Sequence, residues 1–325
     1  MQALKSFIDR VRPLPRLVIQ AHDFPDHDAV SSSYALAHLL GHFGVKTQMV
    51  YNGVIDRISL KNLIEQVHIP IVHWTEANLV PEDKTITVDG CIGEKNVTDL
   101  PGDEIAVIDH HQVTPPQGLW YCDVRPNYGA CATILHEYYE GLDVPMPQPV
   151  ATALQVGLAI DTANLTRGFQ KADVQAFAHF HEHADQEQIN AICRNSLLKS
   201  EVVFYQQLLQ GLQVRDGVGF VWLADGCPKN MLGVMGDFLM SVNEISTTIL
   251  AAPAGDVIQL SLRTEHPQVN VGRLVKELLA EHDIGFGGGH AHMAGGLVQR
   301  AKFNVPDPQV RLFELFLSRL PRDAG

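Results

Sequence analysis

Apolar residues in the first half of the chain fall in short runs with polar borders. Arg16–Gln20, Thr47–Tyr51, Thr85–Val88 and Ile105–Ile108 have the length and β-branched content of buried strands. Between them the spacing changes to a helical period, as over Tyr34–His42 and Ile58–Val67. Alternating strand and helix predicts an α/β fold: a mostly parallel sheet flanked by helices. Ligands of such sheets bind beyond the carboxyl ends of the strands.

From Gly129 to Gly211 the pattern is helical almost throughout. "YGACATILHEYYEGL" predicts one helix, stopped at Gly141, and "QPVATALQVGLAIDTANL" a second. Lys171–Ala184 and a long Asp185–Leu209 complete the set. "QVRDGVGFVWLADG" then reads as a hairpin turning at Asp216-Gly217. "TTILAAP" and "DVIQLSLRT" are expected strands, Gly272–His282 a helix, Gly285–Gly296 a glycine-rich turn and "LVQRAKFNV" a strand before a closing helix. The expected division is a catalytic domain over 1–185, a helical linker over 186–210 and a smaller α/β domain over 211–325.

Charge and composition narrow the function. A formal charge of −13 over 325 residues excludes a long nucleic-acid track, which needs a basic stripe. A small anionic substrate stays compatible, because bound cations reverse the local field. No apolar stretch approaches the roughly 20 residues of a membrane span. The start, "MQALKSFIDRVRPLPRLVIQAH", lacks the apolar core of a signal peptide. The five cysteines, Cys91, Cys122, Cys131, Cys193 and Cys227, form no C-x-x-C pair and suit a reducing cytoplasm.

The expected strand ends carry the chemistry. "AHDFPDHDAVSSS" places His22, Asp26 and Asp28 after the first strand. Asp89 ends "TITVD", Asp109, His110 and His111 end "EIAVIDHH", and Asp161 lies in "GLAIDTAN". Any one of them could cap a helix. Together on one rim, the carboxylates repel unless cations are bound. They exceed the roughly three protein ligands of a catalytic zinc. They suit two divalent ions about 3.5–4 Å apart that share a carboxylate. Imidazole and carboxylate without thiolate favour Mn²⁺, with Co²⁺ and Mg²⁺ as alternatives.

At these residues the chain resembles the DHH phosphoesterases, named for the triplet seen here as Asp109-His110-His111. "HDFPDHDA" resembles their H-x-x-P-D-x-D-A motif, Asp89 their isolated aspartate, and "AIDTAN" the motif of Asp161. The resemblance implies one metal at His22 and Asp26, a second at Asp28, His110 and Asp161, and Asp89 as the bridge. It places Asp109 behind His110 as its orienting partner and turns His111 toward a substrate phosphate. His27 stands where a small residue is usual and is read as solvent-facing. Ser31 stands where glycine is usual, and Ser31–Ser33 are read as capping and phosphate-adjacent residues.

"GFGGGHAHMAGG" resembles the glycine-rich G-G-G-H segment of the DHH-associated C-terminal domain. That likeness implies a clamp in which Gly288, Gly289 and His290 hold a phosphate or base, with the active site in the cleft between two domains. Arg263, in "LSLRTE", is the expected phosphate contact, with Asn270 and Arg273 as further ones.

The implied enzyme is a cytoplasmic, manganese-dependent hydrolase in which a hydroxide shared by two metals attacks phosphorus. Short linear ribonucleotides, dinucleotides such as pGpG or pApA and nano-RNA, are the expected substrates. Cyclic dinucleotides and pAp are the alternatives. A nucleotide-binding sensor without catalysis and a family II inorganic pyrophosphatase are the competing readings. Long nucleic acid and membrane are not expected partners, and a homodimer is compatible with such proteins.

Overall fold

The computed structural model describes residues 1–194, 197–224 and 226–321. The chain divides into two units, Met1–Ser196 and Leu197–Gly325.

The first unit runs α1 (Gln2–Val11), β1 (Leu17–Ala21), α2 (His27–His42), β2 (Thr47–Tyr51), α3 (Ile58–Val67), β3 (Ile71–His73), β4 (Lys84–Val88), β5 (Asp103–Asp109), β6 (Tyr121–Val124), α4 (Cys131–Leu142), α5 (Gln148–Asp161), α6 (Lys171–His183) and α7 (Gln186–Arg194). The strands form one parallel sheet of order β3-β2-β1-β4-β5-β6. The chain leaves β1 toward β2 on one side and resumes with β4 on the other. The carboxyl ends of β1 and β4 are therefore a topological switch point, where α/β sheets open a ligand crevice.

Strand β1 is buried along its whole length, as expected of a central strand covered on both faces. Burying Leu17, Ile19, Leu36 and Leu39 contributes roughly 1.5–3 kcal/mol for each side chain before chain entropy is subtracted. Helix α5 packs closely on the start of α2. A Cβ on Gly157 would lie 3.1 Å from the Asp28 Cα, so glycine sets how near the two helices come. The expected strands and helices of this unit form, with shifted ends. Helix α1 and the edge strands β3 and β6 were not expected. The two strands are 3 and 4 residues long, too short to show a period.

Helix α4 continues through Gly141 to Leu142. Asp143, in the left-handed region at φ 54°, is the residue that stops it. The single helix expected over Asp185–Leu209 is instead two. Helix α7 buries Ile189 and Ile192 in the first unit, and α8 (Val202–Gly211) buries Leu208 in the second. The apolar positions that read as one stripe serve separate cores. Glu201 accepts from the Leu198 backbone N–H at 2.7 Å and so opens the new helical segment. Asn195 and Ser196, inside that expected helix, and Asp225, inside the expected hairpin sequence, lie outside the described residues.

The second unit continues with β7 (Gln213–Arg215), β8 (Val218–Trp222), α9 (Lys229–Leu239), β9 (Thr247–Ala254), β10 (Val257–Thr264), α10 (Val271–Glu281), β11 (Gly285–Gly289), β12 (Met293–Gln299) and α11 (Pro308–Leu317). Its sheet has the order β11-β12-β10-β9-β8-β7, antiparallel except between β8 and β9. The hairpin turns at Asp216-Gly217, both at positive φ (51° and 73°).

The glycine-rich segment is not a turn. Gly285–Gly289 is an edge strand paired with β12, and the reversal falls at residues 290–292. Close packing explains most of these glycines. A Cβ on Gly285 would sit 2.0 Å from the Leu297 carbonyl oxygen, and one on Gly287 would meet Val275 of α10 at 2.8 Å. Gly272, in α10, would meet the Gly289 carbonyl oxygen at 2.2 Å. Gly288 alone in the G-G-G run has nothing within 4 Å of a built Cβ.

These two kinds of glycine predict opposite outcomes in urea denaturation. Gly272→Ala destabilises by about 1–3 kcal/mol, because backbone must move to admit the methyl group. Gly288→Ala changes stability by no more than about 0.5 kcal/mol, as at a surface position. Equal effects would overturn this packing account.

Candidate metal centre

Backbone groups hold four of the candidate ligands of the first unit: His22, Asp26, Asp28 and His110. His22 follows β1, and its Nδ1 donates to the Asp23 carbonyl at 2.8 Å. That bond leaves Nε2 to face Asp26 Oδ2 at 3.7 Å and Asp89 Oδ2 at 3.8 Å. Asp26 is the N-cap of α2, where its Oδ1 accepts from the amides of Asp28 and Ala29. Its other oxygen is the one that faces His22.

Asp28 is fully buried in the first turn of α2. It accepts from Ser32 Oγ at 3.0 Å, from Ala132 N at 3.0 Å and from Cys131 N at 2.6 Å. The N-cap of α4 is Ala130, which has no side-chain acceptor to offer. Asp28, from a distant part of the chain, takes over that role. The positive end of the α4 dipole favours its charge there.

Asp89 follows β4 in the left-handed region, at φ 59°. This conformation is uncommon for a residue with a Cβ and stands out at a functional rim. Its amide donates to the Ile108 carbonyl at 2.9 Å, tying the bend to β5. Both carboxylate oxygens are buried and neither accepts a hydrogen bond. His110 Nε2 lies 3.3 Å from Oδ1, and His111 Nδ1 lies 3.5 Å from it.

The triplet closes β5. His110 Nδ1 donates to the Tyr128 carbonyl at 3.0 Å. Its Nε2 faces Asp89, Asp161 Oδ2 at 3.5 Å and Asp28 Oδ2 at 4.0 Å. Asp161 is the last residue of α5. The orienting partner of His110 is thus Tyr128, not Asp109 as expected. Asp109 accepts instead from the His111 amide at 3.0 Å and from His111 Nδ1 at 2.8 Å, which fixes the ring that is 29% exposed. The expectation failed because a backbone carbonyl carries no residue-type signal.

Two neighbours of the motif differ from their reading. His27 is buried, not solvent-facing, with its Nε2 2.9 Å from Ser59 Oγ. Burial, then the Arg57 charge, lowers its pKa to about 3, so it stays neutral. Ser31–Ser33 are buried inside α2, where Ser32 holds Asp28; the cap is Asp26. Sequence reasoning also missed Cys131, whose Sγ lies within 4.8 Å of carboxylate oxygens of Asp28 and Asp89. Burial, then the Asp89 and Asp28 charges, keeps it a thiol.

In the second unit Arg263 is 7% exposed. Its Nε donates to Asp237 Oδ1 at 2.7 Å and its Nη1 to Ser261 Oγ and the Leu262 carbonyl. The carboxylate partner is Asp237, from α9, an element that the sequence pattern hid behind Gly233 and Gly236. Asn270 caps α10 by accepting from the Arg273 amide at 2.9 Å. Gly288 and Gly289 lie in β11, and His290 follows it.

The electrostatics of the first-unit cage ask for cations. Burial, then the charges of Asp89 and Asp161, pushes the Asp28 carboxyl well up. Asp161 rises through burial, then the Asp26 charge. Burial alone would lower His22 and His110. Neighbouring carboxylates overrule it, raising His22 to about 10 and His110 well above the ordinary imidazole value. Protons gather where positive charge is needed. Imidazole Nε2 atoms aimed at carboxylates, with Nδ1 bonded to a carbonyl, are the donor set and outer support of a metal site. The residues present fit divalent ions: His22, Asp26 and Asp89 form one group and Asp28, His110 and Asp161 another.

The sequence of residues 16–158 matches the DHH family, N-terminal domain, and that of residues 215–306 the DHHA1 domain. An uncharacterized protein of Methanocaldococcus jannaschii is 29% identical over 301 residues, which are 92% of this chain and 61% of that protein. A probable manganese-dependent inorganic pyrophosphatase of Shouchella clausii is 31% identical over 139 residues, 41% of this chain and 44% of that one. The chain thus spans about 61% and 44% of the lengths of these curated relatives. In fold it is similar to the crystal structure of an exopolyphosphatase-related protein from Bacteroides fragilis. The TM-score is 0.78 at 16% identity, over 98% of this chain and 96% of that one.

The raised His22 predicts the pH dependence of metal loading. With its pKa at about 10, His22 is protonated at neutral pH until an ion displaces the proton. Affinity therefore rises with pH below that value, about tenfold per unit for each proton released. Titration calorimetry with Mn²⁺ in buffers of different ionisation enthalpy should show at least about one proton released per chain at pH 7. Binding that is independent of pH and releases no proton would remove His22 from the ligand set.

Proposed function

Because the chain belongs to the DHH phosphoesterase superfamily, with a DHH domain over 16–158 and a DHHA1 domain over 215–306, we propose that it hydrolyses short linear ribonucleotides to mononucleotides in a metal-dependent reaction. Dinucleotides such as pGpG or pApA and nano-RNA are the substrates of this reading. The observation that carries the hydrolase assignment is the convergence of His22, Asp26, Asp28, His110 and Asp161 on Asp89, whose buried oxygens accept no hydrogen bond. We assign His22 and Asp26 to one ion, Asp28, His110 and Asp161 to the other, and Asp89 to both. A pair of divalent ions held there, Mn²⁺ in keeping with this donor set, would lower the pKa of bound water to about 7 and offset phosphoryl charge.

The chain's own residues do the rest. Asp26 and Asp28 are held by helix-terminal amides, so the carboxylates keep their positions when a substrate enters. Asp109 holds the His111 ring by Nδ1, and the proposal assigns Nε2, on the far side of the ring, to a phosphoryl oxygen.

Substrate recognition is assigned to Arg263, Gly288, Gly289 and His290 of the second unit. Arg263 is pre-oriented by Asp237, and a fixed guanidinium suits a phosphate. The open space at Gly288 supports approach of a phosphate or base to that backbone. Cyclic dinucleotides and the 3′-phosphate of pAp are the nearest alternatives. Inorganic pyrophosphate is a second reading, favoured by the 31% identity to the Shouchella clausii protein. The DHHA1 match favours the nucleotide.

Purified protein loaded with Mn²⁺ and offered pGpG, pApA, cyclic dinucleotides, pAp and pyrophosphate tests the proposal. Preferred cleavage of the linear dinucleotides is expected. Preference for pyrophosphate overturns the substrate assignment, and inertness toward all of them with metal bound favours a sensor. Asp89→Ala is expected to lower kcat by about 10³-fold or more and to reduce ion content, as loss of a central electrostatic group does. Retained activity would remove the bridging assignment.

A further inference from the structure

A second histidine cluster lies in the first unit, on residues that the cage does not use. His136 and Glu140 are one turn apart on α4, with Nε2 and Oε1 3.5 Å from each other. His179, on α6, faces them, its ring centroid 4.9 Å from that of His136. One ligand atom from each of the three lies within 4.8 Å of the others. His183, one turn further along α6, stacks on His179 at 4.6 Å. Its Nδ1 donates to the His179 carbonyl at 2.8 Å, so Nε2 is the nitrogen left for a ligand role.

The His136 ring packs edge-on against Phe180 at 5.6 Å, and packing alone would account for its burial. It does not account for the Nε2 atom. His136 is 4% exposed, and that buried nitrogen has no hydrogen-bond partner. A polar atom withdrawn from water without a partner is costly, and here it points toward a carboxylate and a second imidazole. We propose that His136, Glu140 and His179 form a transition-metal site, suited to Zn²⁺, in which His183 or water completes the coordination.

The chemistry fits zinc in three respects. An i,i+4 pair on α4, His136 and Glu140, meets His179 of the packed helix α6. Imidazoles with one carboxylate are ligands of zinc, at about 2.0–2.2 Å. Tetrahedral donors at that range lie about 3.3–3.5 Å apart, so small side-chain rotations close the cluster. Burial, countered by the Glu140 charge, lowers the His136 pKa and keeps the ring in the neutral form that binds metal. Glu140, 59% exposed at its side chain, leaves the site reachable from solvent. An ion here joins α4, whose first amides hold Asp28, to α6, whose Asp173 holds the Gly129 amide and Thr133.

The test compares the wild-type chain with a Glu140→Gln/His179→Gln double variant, which spares the buried His136 packing. Both are saturated with Mn²⁺, dialysed against micromolar Zn²⁺ and counted for total divalent ions. The variant should retain one ion fewer per chain, with unchanged hydrolysis of the substrate preferred by wild type. Titration with Co²⁺ should show a tetrahedral visible absorption in wild type that the variant lacks. Equal ion content in the two proteins, or loss of more than one ion per chain, overturns the proposal. Asp89→Ala separates the two sites: it should lose cage ions while keeping the Glu140- and His179-dependent one. Loss of that one as well also overturns it.

Discussion

Negative charge gathered in a dry place is the constraint on which the first unit is built. Asp28 and Asp89 are all but excluded from solvent, and Asp161 faces the same imidazole. Like charges this close cannot all ionise without compensation. The fold tolerates them because strand ends from both sides of the switch point meet there, and because the surrounding backbone is already arranged. Helix α4 offers two amides to Asp28, the Tyr128 carbonyl takes Nδ1 of His110, and Gly157 lets α5 approach closely enough for Asp161 to arrive. Positive charge then enters either as protons on His22 and His110 or as metal ions. The same geometry makes the protons and the ions competitors.

What the sequence could reveal follows from this arrangement. Residue types with chemistry in them were legible: His22, Asp26, Asp28, Asp89, His110 and Asp161 come together as their positions at strand and helix ends imply. Their supports were not legible. The group that orients His110 is a carbonyl, and the groups that fix Asp28 are amides of residues more than a hundred positions away. Any residue could supply them, so no pattern marks them. The same applies to His27, whose apparent freedom between two aspartates ended in a buried contact with Ser59. Periodicity placed most of the longer elements but missed α1 and α9 and merged α7 with α8; it missed β3 and β6 because a run of three or four residues has no period to show.

The glycines of the second unit show how one residue type can carry two meanings. Gly272, Gly285 and Gly287 are required by backbone and helix packing, and a ligand is not needed to explain them. Gly288 is not explained that way. A glycine-rich string thus mixes positions that let α10 and β12 approach β11 with one that leaves the backbone open. Only the contacts of each Cα tell them apart. Arg263 carries a similar double reading, since the Asp237 pair that partly neutralises it also fixes its direction.

In the proposed reading the two units divide the work by the kind of constraint each satisfies. His22, Asp26, Asp28 and His110 of the cage are held largely by amides and carbonyls, which do not change when side chains around them do. A phosphoester bond presents the same oxygens whatever is attached to it, so chemistry fixed in that way can stay constant. Selectivity needs groups that differ in size, charge and openness, which the proposed reading assigns to Arg263, a buried guanidinium held by Asp237, and to the open backbone at Gly288. Substitutions near the cage should therefore act mostly through charge balance, as at His22. Substitutions on the glycine strand should act either through packing or through ligand approach, according to which side of β11 they meet. That separation lets one metal-holding framework be combined with different substrates without rebuilding the framework itself.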